Sequence, residues 1–218
     1  ERPWSLHILP SGGIALGLGR PRGGLLRLKP DGCHLMDDHL NLGESPICCG
    51  TGQDEILLGH IDGSITEINI DGKAESLPSI TKETIECMVK GESCILVGTS
   101  EGSAICYRDG SASWSIDLEA EIENICYFNG EWAWFSTWSG RDGILSLLDV
   151  DNGEVIANLT LSERLRDIAV YEGFTVIGID DGRLLVFQEE MLTRRIDSGP
   201  TEVNDRSDLR DRLRALRK

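Results

Sequence analysis

The sequence Ile56-Leu57-Leu58-Gly59, followed three residues later by Asp62-Gly63-Ser64, occurs again and again along this chain. Thirty-nine residues on stand Ile95-Leu96-Val97-Gly98 and then Glu101-Gly102-Ser103. The next copy is Trp134-Phe135-Ser136-Thr137 with Arg141-Asp142-Gly143, after a two-residue insertion. Thr175-Val176-Ile177-Gly178 with Asp180-Asp181-Gly182-Arg183 is the last, and Ile14-Ala15-Leu16-Gly17 with Arg22-Gly23-Gly24 is a looser first. A period of about forty residues is the mark of a fold built by stacking one supersecondary unit.

Each unit divides alike. A short apolar run such as Glu86-Cys87-Met88-Val89 meets a glycine turn at Lys90-Gly91-Glu92, and a second apolar run leads into the acidic-glycine turn. Ile105-Cys106-Tyr107, the turn Asp109-Gly110 and Ser113-Trp114-Ser115-Ile116 complete it. Asp-Gly or Asn-Gly between β-prone runs is a strong hairpin signal, because tight hairpin turns need positive φ. The pair recurs at residues 31, 62, 71, 109, 129, 142, 152 and 181, and helical periodicity is absent until residue 203. Four residues before the first turn glycine stand the small residues Cys48, Cys87, Cys126 and Ala169, as crowded inner strands require.

A lone four-stranded sheet leaves two apolar faces uncovered, and stacking sheets around an axis covers them. The expected fold is therefore all-β: a β-propeller of about five four-stranded blades, over residues 4–42, 46–80, 84–119, 123–161 and 165–197. The ring either closes with five blades or forms part of a larger propeller. Leu148-Asp149-Val150-Asp151-Asn152-Gly153-Glu154-Val155-Ile156 resembles the third-strand, turn and fourth-strand signature shared by WD40 and quinoprotein-like (PQQ-type) propeller repeats. The Trp-Asp dipeptide of WD40 units is missing, and Gly59-His60 stands elsewhere in its repeat than the WD40 Gly-His pair.

Beyond Gly199-Pro200 the pattern changes. Leu209, Leu213 and Leu216 fall at i, i+4 and i+7, which predicts an amphipathic helix over 204–218 after a linker at 199. So short a helix is marginal alone, so the stripe is expected to dock or to self-associate.

Charge narrows the partners. Residues 31–190 carry 8 basic and 31 acidic side chains, against five and one in the first thirty and six and three in the last fourteen. An acidic body repels phosphate backbones, so nucleic acid is not expected as a partner. No apolar run approaches the roughly eighteen residues of a membrane span. Seven cysteines at no framework spacing, mostly among aliphatic neighbours, predict free thiols and a reducing, cytoplasmic compartment. The start at Glu1, without methionine, predicts a processed chain or a piece of a longer one.

Chemistry-bearing clusters are few. Adjacent Cys48 and Cys49 resemble the paired cysteines of quinoprotein dehydrogenases, although Cys48 also fits the repeat's small-residue position. Cys33, Asp37 and His39 alternate onto one side of an extended strand and are the candidate metal ligands, with His34 and Asp38 on the other side. A solvated outer strand accounts for the same residues. Asp149-Val150-Asp151-Asn152-Gly153 reads as a hairpin turn rather than a calcium loop, since its glycine comes one place early. The histidines are scattered and no nucleophile elbow or phosphate loop occurs, so neither catalysis nor a cofactor is expected.

The expected function is that of a non-catalytic interaction or scaffold propeller. In such a ring the second-to-third-strand loops and the blade links share one end. That end would carry Arg20, Arg22, His60, Glu101, Trp138, Arg141, Arg164, Asp180 and Asp181, with Trp138 the foremost hot-spot residue. The alternatives are a small-ligand or carbohydrate-binding propeller and, further off, a quinoprotein-like enzyme.

Overall fold

The computed structural model describes residues 55–69 and 73–196 with their side chains, Asp197 as backbone, and the backbone of strands 3–8, 14–18, 24–28 and 48–51. Arg20, Arg22, Cys33, Asp37 and His39, and the tail residues Leu209, Leu213 and Leu216, lie outside these residues.

Five antiparallel meanders follow one another. The first holds β1 (Pro3–Ile8), β2 (Ile14–Leu18) and β3 (Gly24–Leu28), and the second β4 (Cys48–Thr51), β5 (Ile56–Gly59), β6 (Ile65–Ile68) and β7 (Ala74–Leu77). The third runs through β8 (Ile85–Lys90), β9 (Ile95–Thr99), β10 (Ser103–Arg108) and β11 (Ser111–Asp117). The fourth is β12 (Glu121–Tyr127), β13 (Trp132–Trp138), β14 (Gly143–Asp149) and β15 (Val155–Leu161). The fifth has β16 (Leu165–Tyr171), β17 (Phe174–Ile179) and β18 (Leu184–Gln188), and then α1 (Glu189–Asp197). This is the all-β propeller architecture that the repeat predicts.

The sheets stack through their faces. Inner strands β1, β4, β8, β12 and β16 lie side by side in that order, whereas β16 and β1 make no comparable contact. Burial declines outward: β9 is buried along its whole length, and β11 is half-buried only at Trp114 and Ile116. Leu57 and Ile65 of the second sheet pack on Met88, Val97 and Ile105 of the third. The third sheet presents Leu96, Ala104 and Cys106 to Ile122, Phe135 and Leu148 of the fourth. Trp134, Leu145 and Leu147 then meet Leu165, Ile168 and Ile177 of the fifth. Each such side chain, fully buried, contributes roughly 1.5–3 kcal/mol.

Polar bonds pin these joints. Trp114 Nε1 donates to the Val150 carbonyl at 2.8 Å, from the third sheet to the fourth. The Cys87 and Cys126 thiols are half-buried, Cys94 and Cys106 are buried, and all four are free.

The structure corrects the sequence reading in three places. The fifth unit has no fourth strand in the described chain. In its place stands α1, whose Leu192 and Ile196 pack onto the joint of the fourth and fifth sheets. Its first turn is acidic (Glu189, Glu190) and its last basic (Arg194, Arg195), matching the helix dipole. Second, Asp142-Gly143 is not the turn of the fourth sheet. Gly140 takes the positive φ of 86°, the Ser139 N–H donates to the Asp142 carbonyl, and Gly143 is a strand residue. By contrast Asp109 and Gly110 both have positive φ, 52° and 83°, as a two-residue hairpin turn of the I′ kind demands. Third, Cys48 and Cys87 sit opposite Gly59 and Gly98, but Cys126 and Ala169 sit opposite Trp134 and Val176, two residues further along. The hairpin loops differ in length, so counting back from the turn glycine merged two rows into one.

A charged cavity at the bulged ends of the inner strands

Each fully described inner strand contains a β-bulge near its start. The register skips Glu86 between Ile85 and Cys87, Glu123 between Ile122 and Asn124, and Arg166 between Leu165 and Asp167. A bulge frees one residue from pairing and re-aims its side chain. Here the three bulged residues line one cavity of about 260 Å³, together with Glu121, Asn124, Arg164 and Leu165.

The cavity opens at the end where the second-to-third-strand loops emerge. Loop and link are tied by a recurring bond: the Ser100 N–H donates to the Thr84 carbonyl and the Asp180 N–H to the Arg164 carbonyl, both at 3.0 Å. In the second sheet the His60 carbonyl accepts from the Ile85 N–H at 3.2 Å.

The charges within it are unevenly paired. Arg164 holds Glu123 through two bonds, Nε to Oε2 at 2.9 Å and Nη2 to Oε1. Arg166 grips Asp180 likewise, Nη2 to Oδ2 at 2.9 Å and Nε to Oδ1. Asn124 donates to the Ser136 hydroxyl at 3.0 Å. Glu86 and Glu121 have no hydrogen-bond or ion-pair partner among the described residues. Burial, and then the charge of Glu121, raise the Glu86 carboxyl above its usual value. The cavity therefore gathers three carboxylates, of which only Glu123 is hydrogen-bonded among the described residues, with two engaged guanidinium groups, and the charge of Arg164 also acts on Glu121. It is suited to take a cationic group. Nearby Glu83 is satisfied, accepting from Thr99 at 2.5 Å and Ser103 at 3.0 Å.

Of the residues expected on this end, Arg164 lines the cavity and Asp180 braces its wall through Arg166. Trp138 closes β13 directly opposite Glu121 and is half-buried. Glu101, Arg141 and Asp181 are exposed on loops of the same end, where Asp181 holds Arg183 at 2.5 Å. His60 is different. Its ring is buried, with Nε2 2.9 Å from the Thr66 hydroxyl, so it organises its loop and offers no contact surface. Sequence reasoning missed Glu86, Glu121, Glu123 and Arg166. The signal was present, since Glu86, Glu123 and Arg166 each follow the first apolar residue of a unit (Ile85, Ile122 and Leu165). In the Asp149 turn the carboxylate accepts from the Asp151 and Asn152 N–H groups at 2.9 and 3.1 Å, as in an ordinary hairpin.

No protein-family profile and no curated protein matches the sequence. Solved structures do resemble the fold. BBS1N in complex with ARL6DN superposes with a TM-score of 0.66 at 14% identity, over 82% of this chain and 56% of that one. BamB from Moraxella catarrhalis gives 0.61 at 11% identity, over 86% and 61%. The computationally designed Ika4 protein gives 0.57 at 12% identity, over 66% and 91%. This chain thus spans little more than half the length of the two natural structures.

Proposed function

We propose that this chain is a non-catalytic interaction propeller that receives a protein partner on the end bearing the second-to-third-strand loops. The observation that carries the reading is the cavity in which Glu86 and Glu121 have no hydrogen-bond or ion-pair partner among the described residues while Glu123 is already bound by Arg164. A lysine or arginine side chain of the partner would enter there and supply the missing charge. Trp138, Glu101, Arg141 and Asp181 would form the surrounding contact surface, in which a half-buried tryptophan beside the cavity suits a hot spot. Of the propeller neighbours, BBS1N was solved with another protein bound, which makes an interaction role a natural one for the fold. Trp138 is the lone aromatic expected at this end and is not repeated in the other units, so carbohydrate stacking has less support.

The test is binding of fluorescent peptides that differ only in one central residue. Peptides with lysine or arginine there should bind, and those with norleucine or glutamate should bind at least about tenfold more weakly. Glu86→Gln with Glu121→Gln should erase the preference and leave the fold intact. Equal binding of charged and neutral peptides, or none to either, would remove the basis of the reading.

A further inference from the structure

Two of the four described free thiols lie together at the joint of the third and fourth sheets. Leu96 of β9 stands opposite Cys106 of β10, so Cys94, two residues before Leu96, is diagonal to Cys106 on the same face. Both are buried in the cluster that holds Ile122, Phe135 and Leu148. Cys94 comes directly after the exposed turn residues Glu92 and Ser93, which places the pair at the solvent edge of the joint.

Polar groups from two sheets converge on it. The Tyr127 hydroxyl of β12 lies 3.0 Å from the Cys94 sulfur and donates to the Cys94 carbonyl at 3.2 Å. The tyrosine ring lies over the turn at Gly91, where a Cβ would be 2.5 Å from the phenol oxygen. Arg108 donates from Nη2 to Asp151 at 3.1 Å, and its charge acts on both sulfurs. Its buried Nε–H has no hydrogen-bond partner among the described residues. A thiolate only accepts, so an ionised Cys94 would take hydrogen bonds from Tyr127 and the Cys106 thiol, beside a guanidinium.

Cys87 and Cys126 stand differently. The Cys87 thiol donates to the Ile122 carbonyl at 3.4 Å, and the Cys126 thiol to the Tyr127 carbonyl at 3.6 Å. Burial raises both above the usual thiol value, whereas the Cys106 thiol, and after it Tyr127 and Arg108, bring Cys94 down to about 6. The thiolate is the form that attacks oxidants.

We infer that Cys94 is a site of peroxide oxidation and that Cys106 is its resolving thiol, the two closing to a disulfide within the third sheet. The Cys94 thiolate attacks one peroxide oxygen. The O–O bond breaks, an S–O bond forms, and hydroxide leaves to take up the proton that Cys94 had released. The sulfur is oxidised by two electrons and the peroxide is reduced. The Cys106 sulfur then attacks the Cys94 sulfur, and the oxygen departs with the Cys106 proton as a second water. Diagonal neighbours stand about 7 Å apart at Cα, the upper end of what a disulfide spans. The bond therefore draws in the start of β9, where Cys94 adjoins an exposed turn and not the middle of a strand.

The test follows every cysteine in one reaction. The reduced full chain is exposed to hydrogen peroxide at neutral pH for increasing times, then unfolded, alkylated and digested after glutamate. Cleavage at Glu101 separates Cys94 from Cys106 unless a disulfide joins them. Mass spectrometry should find the two consumed together as one linked pair of peptides, at least about tenfold faster than Cys87 or Cys126 is lost. A dithiol reductant should restore both thiols. Cys106→Ala should stop at a Cys94 sulfenic acid that dimedone traps, and Cys94→Ala should leave Cys106 unoxidised over the same time. Oxidation of Cys94 no faster than that of Cys87 in the wild-type chain would overturn the inference, and that comparison needs no variant to fold. So would a bond from Cys94 to any other cysteine, or a Cys94 sulfenic acid that persists beside an intact Cys106.

Discussion

The indole nitrogen of Trp134 donates to the Thr175 hydroxyl at 3.1 Å, across the joint of the fourth and fifth sheets. Both residues are buried, so neither group has water as a substitute partner. Trp134→Phe should destabilise the chain by about 1–3 kcal/mol, through the orphaned hydroxyl and lost packing. Adding Thr175→Val removes the orphan, so the double variant should be more stable than the sum of the single losses predicts. Denaturant unfolding of the four proteins checks this. Strict additivity would mean that the bond carries no coupling.

Gly98→Ala tests the close approach of β9 to β12. The added carbon would press on Ile122 at 2.5 Å and on the Cys87 sulfur at 2.8 Å, at a backbone conformation that alanine otherwise accepts. Overpacking of this kind costs typically about 1–3 kcal/mol. Thermal unfolding should show a clear loss, and removing the clashing γ carbon in Gly98→Ala/Ile122→Ala should make the double variant's loss smaller than the sum of the two single losses.

Glu86 should make the fold sensitive to pH. Its carboxyl is raised above the usual glutamate value of 4.5 by burial and by Glu121, so the folded chain prefers it protonated. Its contribution is therefore fully present below the ordinary glutamate value and is lost as pH rises through the elevated one. Glu86→Gln should melt above the wild type at pH 7, and the gain should shrink as pH falls through the elevated value and vanish below 4.5. A gain that is constant with pH would assign it to something other than ionisation.

Cys94 and Cys106 form a coupled thiol pair. The Cys106 thiol, the Tyr127 hydroxyl at 3.0 Å and Arg108 favour the Cys94 thiolate, bringing it down to about 6, and the same bond pushes Cys106 up. The pair should release one proton early and hold the second. Ultraviolet absorbance should show one thiolate forming near pH 6 and none in Cys94→Ser. In Cys106→Ala that step should move to higher pH, because the thiol donor is gone.

The repeat was legible because one backbone requirement, a tight turn with positive φ, admits few residues. Asp109-Gly110 and Asn152-Gly153 fall on turns as their sequence demands. Asp142-Gly143 failed the same rule because the two-residue insertion brought in Gly140, an equally good turn former nearer the loop tip. The helix α1 escaped notice because it has nine residues, and its apolar pair Leu192 and Ile196 is too brief to show a period. The cavity was hidden for a different reason. Glu86, Glu123 and Arg166 look like ordinary strand residues until a bulge, which depends on pairing with the second strand, turns them aside.

Sheets in this chain touch mainly the sheets beside them, and α1 adds its cover at one end alone. Such an array behaves like a row of leaning books, where resistance to toppling depends on position and not on the strength of any one volume. The third and fourth sheets, supported from both sides, should be the last to exchange their amide hydrogens, and the fifth should open before them. An insertion in the outer hairpin at Asp109-Gly110, where a Cβ on the glycine meets only open space, would disturb one unit and leave the spacing of the others untouched. The architecture thereby permits the molecule to lengthen or shorten by whole units, with each change felt chiefly by its immediate neighbours.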